Sequence, residues 1–220
     1  KSFGYSAHNL KAQSAIMPIA YYLSKRSDRN SYVDSGSTNQ DKASLKSWFA
    51  RVLIKQGIWG SGLDTLLRSI RTAIDSAGTK VFPSKEIHDA MASIGKVLVF
   101  DESEIEEVLS SRYGSQQAFA ILTLLYPGLD LSQEFHEDHI FPKSKFTLGA
   151  LKKIGFAADK AEEVSQQVDT LPNLQLLKGQ VNIEKQAKMP QTWIESFFED
   201  DEPKRNSYLL DNDLVGFANG

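Results

Sequence analysis

Apolar residues recur every three or four positions through most of the first 126 residues, the spacing of amphipathic helices. In DKASLKSWFARVLIKQGI, Leu45, Trp48, Phe49, Val52 and Leu53 share one helical face, which predicts a core contact. LKAQSAIMPIAYYLSK ahead of it also reads as a helix. Ser61 and Asp64 have the spacing of a capping box before Leu66, Leu67, Ile70 and Ile74, and Gly78 is a natural terminator. Another helix is expected from near Ser84, with Ile87, Met91, Ile94 and Leu98 pointing one way, followed by DESEIEEVLSSRYG and SQQAFAILTLLYPG. The stretch from Ser27 to Gln40 lacks periodicity and is expected to be a surface loop, the first place to look for disorder.

The pattern changes after Pro127-Gly128. EFHEDHIFP packs β-branched and aromatic residues into a short segment bounded by turns, which predicts a strand. LKKIGFAADKAEEVSQQ reads as a helical insert, NLQLL as a second short strand, and VNIEKQAKMPQTWIESFF resumes helical spacing. The tail is expected to dock back through Leu209, Leu210 and Phe217. The fold class predicted is therefore mainly α. A helical region over residues 1–130 precedes a strand–strand–helix segment over 131–200 with its insert at about 146–168, and a tail over 201–220 packs on the same domain.

With 220 residues, 41% of them hydrophobic, a net charge of -3 and 24% charged residues, the chain has the make-up of a globular protein able to bury a core. The absence of cysteine excludes disulfides, thiolate metal sites and cysteine nucleophiles, and points to the cytoplasm. No apolar run approaches the roughly twenty residues of a membrane span. A chain that opens on Lys1 is expected to be a fragment lacking an N-terminal partner region. Mild acidity does not advertise nucleic-acid binding, yet a local basic surface binds phosphate whatever the total charge.

Candidate chemistry concentrates in FHEDHIFPKSKF, where His136 and His139 flank Asp138. One reading is structural: a packed histidine whose acidic neighbour fixes its tautomer. A zinc site is a second, disfavoured because structural zinc draws on cysteine and a further ligand must come from afar. The third joins this cluster to LPNLQLLKGQVNIEKQAK, since phosphodiester hydrolysis needs a base for water and oxygen ligands for a divalent cation.

On those two segments, DHIFPKS and NLQLLKGQVNIEK, the chain resembles HNH nucleases of the ββα-metal type. The resemblance implies a mainly helical domain with an embedded ββα-metal motif, His139 as general base, and Asp138 and Asn182 as ligands of Mg²⁺ or Mn²⁺. It gives His136, Asn173 and Lys185 supporting or phosphate-contacting roles, Asn173 chiefly by tying the loop through its side chain. The separation of Asp138 from Asn182 exceeds that of compact members, so the helix near 152–167 must be an insertion. Strand alternation also sets His139 on the face opposite His136 and Asp138. The expected resolution is a strand that ends at Asp138 and frees His139 to turn inward; the alternative is that His136 is the true partner of Asp138, with the motif shifted by three residues.

LKSWFARVLIKQGIWGSGLDTLLRSI and RYGSQQAFAILTLLYP are similar to the helical region of GmrSD-type modification-dependent restriction proteins. That likeness implies double-stranded DNA as substrate, a role in anti-phage defence, and a ParB-like nucleotide-hydrolysing N-terminal domain missing from this chain. No Walker-type loop is present, in keeping with nucleotide chemistry lying elsewhere. Lys143, Lys145, Lys178 and Lys188, with Lys152 and Lys153 on the insert, are candidate phosphate contacts. Phe141 and Trp193 read as core anchors rather than stacking platforms. The alternatives kept open are a catalytically silent DNA-binding or interaction module on the same scaffold and, behind it, an RNA-directed nuclease.

Overall fold

The computed structural model of the protein describes residues 3–5, 10, 12–115, 117–126, 129, 133–212 and 214–216. Helices predominate, and among the described residues two strands form. The chain divides into two units, residues 2–105 and 106–220. The division therefore falls within the helix Glu102–Leu109 rather than near 130, because helix Ala118–Leu125 packs on the second strand and Arg112 forms a β-bridge with Thr170.

The first unit holds α1 (Ile16–Ser24), α2 (Asn39–Ile54), α3 (Leu63–Ala77) and α4 (Ser84–Ala92). The predicted stripe of α2 is buried throughout: Leu45, Trp48, Phe49, Val52 and Leu53 are each less than 5% exposed. The capping box expected at Ser61 and Asp64 does not form. Gly62 occupies the cap instead at φ 75°, a left-handed conformation open to glycine without steric cost, and no side chain caps the helix. A reciprocal box appears at α5 (Glu102–Leu109): Asp101 Oδ1 accepts from Glu104 N at 2.9 Å, and Glu104 Oε2 accepts from Asp101 N at 3.0 Å.

The segment before α2 is the surface loop its polarity predicts, exposed along most of its length, but it is pinned at several points. Tyr32 and Thr38 are buried, and Asp41 Oδ2 accepts from Tyr22 Oη at 2.8 Å and Tyr32 Oη at 2.7 Å. Arg26 forms a fork with Asp28 at 2.7 and 2.8 Å. Its polar side chains thus satisfy one another inside the unit, which an apolar-periodicity reading does not detect.

The second unit carries α6 (Ala118–Leu125), β1 (Phe135–His139), α7 (Leu148–Lys153), α8 (Ala158–Gln167), β2 (Leu174–Lys178), α9 (Gly179–Lys185), α10 (Pro190–Phe198) and α11 (Glu202–Asp211). β1 and β2 pair antiparallel in the register His136↔Leu177, Asp138↔Gln175 and His139↔Leu174. The insert emerges between them as the helix pair α7 and α8. α10 and α11 close a core of Ile140, Trp193, Ile194, Leu209 and Leu214, with Phe141 and Tyr208 packed against it. Leu209 docks as expected. Leu210 does not, being 69% exposed on the outer side of α11, while Phe217 and the Pro127-Gly128 break lie outside the described residues.

Candidate functional site

Alternation along β1 sorts its side chains onto two faces. His136 and Asp138 look one way, and Glu137 and His139 the other. The strand does not end at Asp138: His139 pairs with Leu174, and Ile140 N–H donates to Asn173 O at 2.8 Å, so the pairing carries past the motif. His139 therefore stays on the opposite face, and no described contact brings its ring to the Asp138 carboxylate.

On the Asp138 face, the strand ends in a buried polar chain. α9 follows β2 directly and packs on both strands, and from its last turn Lys185, 1% exposed, reaches Asp138 Oδ2 at 2.8 Å. The same ammonium donates to His139 O at 2.6 Å. Gln175, also buried, donates to Asp138 Oδ2 at 3.0 Å and accepts from Tyr208 Oη at 2.8 Å. Burial, reinforced by the Asp138 charge, pushes the Tyr208 phenol well above its ordinary range. A buried ammonium survives only when paired and hydrogen-bonded, which this arrangement supplies.

On the other face, His139 Nε2 lies 2.8 Å from Asp169 Oδ1, and Lys143 Nζ lies 2.5 Å from Asp169 Oδ2. Tyr113 lies against the imidazole, with ring centroids 4.5 Å apart at 33°. The Asp169 backbone is fixed from the same side: Tyr113 N donates to its carbonyl at 2.8 Å, beside the Arg112–Thr170 bridge. Desolvation raises the Asp169 carboxyl, but hydrogen bonds from Lys143 and His139 outweigh it and hold the group below the usual carboxylate range. Glu137, next along this face, shifts upward through desolvation, opposed by backbone N–H groups of Gly114 and Phe119 and the charge of His139. With Nε2 turned to a carboxylate, a neutral His139 carries its proton there and presents Nδ1 as the basic nitrogen.

Asn173 ties the turn between insert and strand. Its Oδ1 accepts from Phe141 N at 2.8 Å, and its Nδ2 donates to Phe141 O at 3.0 Å and Val168 O at 2.7 Å. Asn182 is half-buried, three residues before Lys185 on α9 and so on the side of the helix that meets β1. His136 is 48% exposed and lies against Gly179, where an added Cβ would come within 3.1 Å of its Nε2. Lys145, Lys178 and Lys188 are exposed, as are Lys152 and Lys153, whereas Lys185 faces the interior instead of a phosphate. Trp193 is buried at 1% exposure, stacked on Phe197.

Asp169, Tyr113 and Gln175 are the residues that sequence reasoning missed. Asp169 stands thirty positions from His139, across the insert, so no local spacing links them. Its one visible signal is a carboxylate immediately ahead of the Thr-Leu-Pro-Asn turn into β2. Among the described residues no three His, Asp or Glu side chains gather as a metal cluster. The chain matches no protein-family model and no curated protein.

Proposed function

We propose that the chain is a metal-dependent DNA endonuclease or nickase of the HNH type, the cutting part of a modification-dependent anti-phage restriction protein. The observation that carries this reading is the strand–strand–helix order that sets Asp138 and His139 at the end of β1 with α9 packed back on them. His139 then has what a general base needs: an imidazole whose Nε2 is held by Asp169 and whose Nδ1 is engaged by no described hydrogen bond. Asp169 fixes the tautomer, Lys143 anchors Asp169, and Tyr113 covers the ring. His139 takes a proton from the attacking water, and the products are a 3′ hydroxyl and a 5′ phosphate.

The donors present suit a hard cation. Asp138 directs Oδ2 to Lys185 and Gln175 and leaves Oδ1 without a described partner, and the Asn182 amide offers a second oxygen, a donor set typical of Mg²⁺ with most of its waters retained. When bound there, Mg²⁺ or Mn²⁺ would offset negative charge on the phosphate and the departing 3′ oxygen. Lysines 143, 145, 178 and 188 supply phosphate contacts that read the backbone rather than the bases. A ParB-like nucleotide-hydrolysing domain on a preceding segment would sense the modified DNA.

One observation favours a second reading. The Lys185 ammonium already neutralises Asp138 from inside the fold, as it would in a scaffold kept for DNA binding alone. Incubating supercoiled plasmid with the protein and Mg²⁺ or Mn²⁺ separates the two. Nicking by the wild type that His139→Ala loses is the expected result. DNA retained without nicking by either protein would favour the silent module, and cleavage confined to an RNA substrate would redirect the assignment.

A further inference from the structure

One half-buried carboxylate on the His139 face takes no part in the proposed chemistry. Glu137 stands two residues before His139 on β1 and so looks the same way. Its Oε2 accepts from Gly114 N at 2.9 Å, and the Phe119 amide is its second backbone donor. Both donors call for such an acceptor. α6 has no side-chain cap at Gln117, so the amides of its first turn need a partner from elsewhere in the fold. Gly114 has φ 74°, a turn conformation that glycine adopts without steric cost. Glu137 therefore fastens to β1 the turn that carries Tyr113.

That turn sets the plane of the imidazole. The 2.8 Å contact from His139 Nε2 to Asp169 fixes one atom of the ring but constrains its plane weakly, since the histidine χ2 torsion has broad wells. The plane decides where Nδ1 points. What limits it is Tyr113, whose ring centroid lies 4.5 Å from that of His139 at 33°. Tyr113 is 47% exposed, so side-chain packing does little to hold it, and its placement comes from its backbone. Tyr113 N–H donates to Asp169 O at 2.8 Å, Ser115 N–H closes the turn on Arg112 O at 2.9 Å, and Glu137 grips Gly114 between them. One side of the turn is tied to the residue that holds Nε2, and the other to the strand that carries the imidazole.

We infer that Glu137 is a positioning residue for the site: by holding the 112–115 turn against β1 it keeps the Tyr113 ring on His139 and so fixes the direction of Nδ1. It acts through Tyr113 and touches neither water nor DNA. Its effect on rate rests on the reading of His139 as general base, whereas its effect on the ring does not.

The test reads the ring first. In protein labelled at histidine and tyrosine, cross-relaxation between Tyr113 and His139 ring protons reports their contact, with the His139 signals assigned by their loss in His139→Ala. Glu137→Ala is expected to abolish those cross-peaks and to move the His139 ring signals to the positions seen in Tyr113→Ala, with urea denaturation verifying that each variant is folded. Glu137→Gln keeps an oxygen for the Gly114 amide and is expected to restore most of both. In single-turnover plasmid nicking with Mg²⁺, Glu137→Ala and Tyr113→Ala should each slow the rate by about 10- to 100-fold, and the double variant should be no slower than the slower single one. Unchanged His139 signals in Glu137→Ala, a Glu137→Gln protein as displaced as Glu137→Ala, or rate losses that multiply in the double variant would overturn the proposal. A wild type that does not nick would count against the nuclease reading alone, since the spectra decide the placement of the ring without it.

Discussion

At the scale of single residues, the site rests on two carboxylates that do opposite things. Asp169 has a depressed folded-state pKa, so its stabilising contribution is present above the unfolded value and is lost as pH falls through the folded one. Glu137 has a raised value, so folding is favoured while it is protonated and stability falls as pH rises through its window. Asp169→Asn should therefore flatten the acid limb of a stability–pH curve, and Glu137→Gln should raise stability on the neutral side. Urea denaturation across pH reads both signs, and like-signed changes would refute the assignment. The buried pair gives a sharper expectation. Asp138→Ala strands the Lys185 ammonium and should cost about 3–5 kcal/mol, whereas Asp138→Leu combined with Lys185→Met should recover most of that loss. If the single and double variants unfold at the same denaturant concentration, Lys185 does not depend on Asp138.

At the scale of elements, the turn into β2 hangs on one side chain. Asn173→Ala removes three hydrogen bonds and should cost about 1–3 kcal/mol for the partners left unsatisfied, visible as a lowered unfolding midpoint. A midpoint equal to the wild type's would mean that the turn is held by its backbone alone. Legibility in the sequence followed the same division. The α2 stripe, the Ser84 start, the Gly78 stop, both strands and the insert could be read because apolar period and turn chemistry are local. The cap of α3 could not, since Ser61 and Asp64 carry the letters of a box while Gly62 takes the left-handed position between them. Nor could the end of β1, which is decided by pairing with Leu174 and Asn173 across the insert. The Asp138, His139 and Asn173 positions were visible as motif letters. Asp169 and Lys185 acquire their contacts only when distant segments meet, and a sequence pattern carries charge and spacing but not which of two faces a ring will occupy.

At the scale of the whole molecule, a net charge of -3 does not forbid binding to a polyanion, because what DNA meets is local. Lys145, Lys178 and Lys188 are exposed in the unit that holds the candidate site. Each replacement by glutamine should weaken DNA binding without altering sequence preference and lower the slope of log affinity against log salt by about 1 for each lysine replaced. Binding isotherms at several salt concentrations provide the readout, and an unchanged slope in the triple variant would place the DNA elsewhere.

If His139, held by Asp169, activates water for cutting DNA, loss of either side chain slows the chemical step. The most direct measurement is the single-turnover rate of plasmid nicking in Mg²⁺ for the wild type, His139→Ala and Asp169→Asn, each verified as folded. The rate for His139→Ala is expected to be lower by about 10²–10⁴, with Asp169→Asn falling between it and the wild type. Equal rates for all three proteins would rule out His139 as the base.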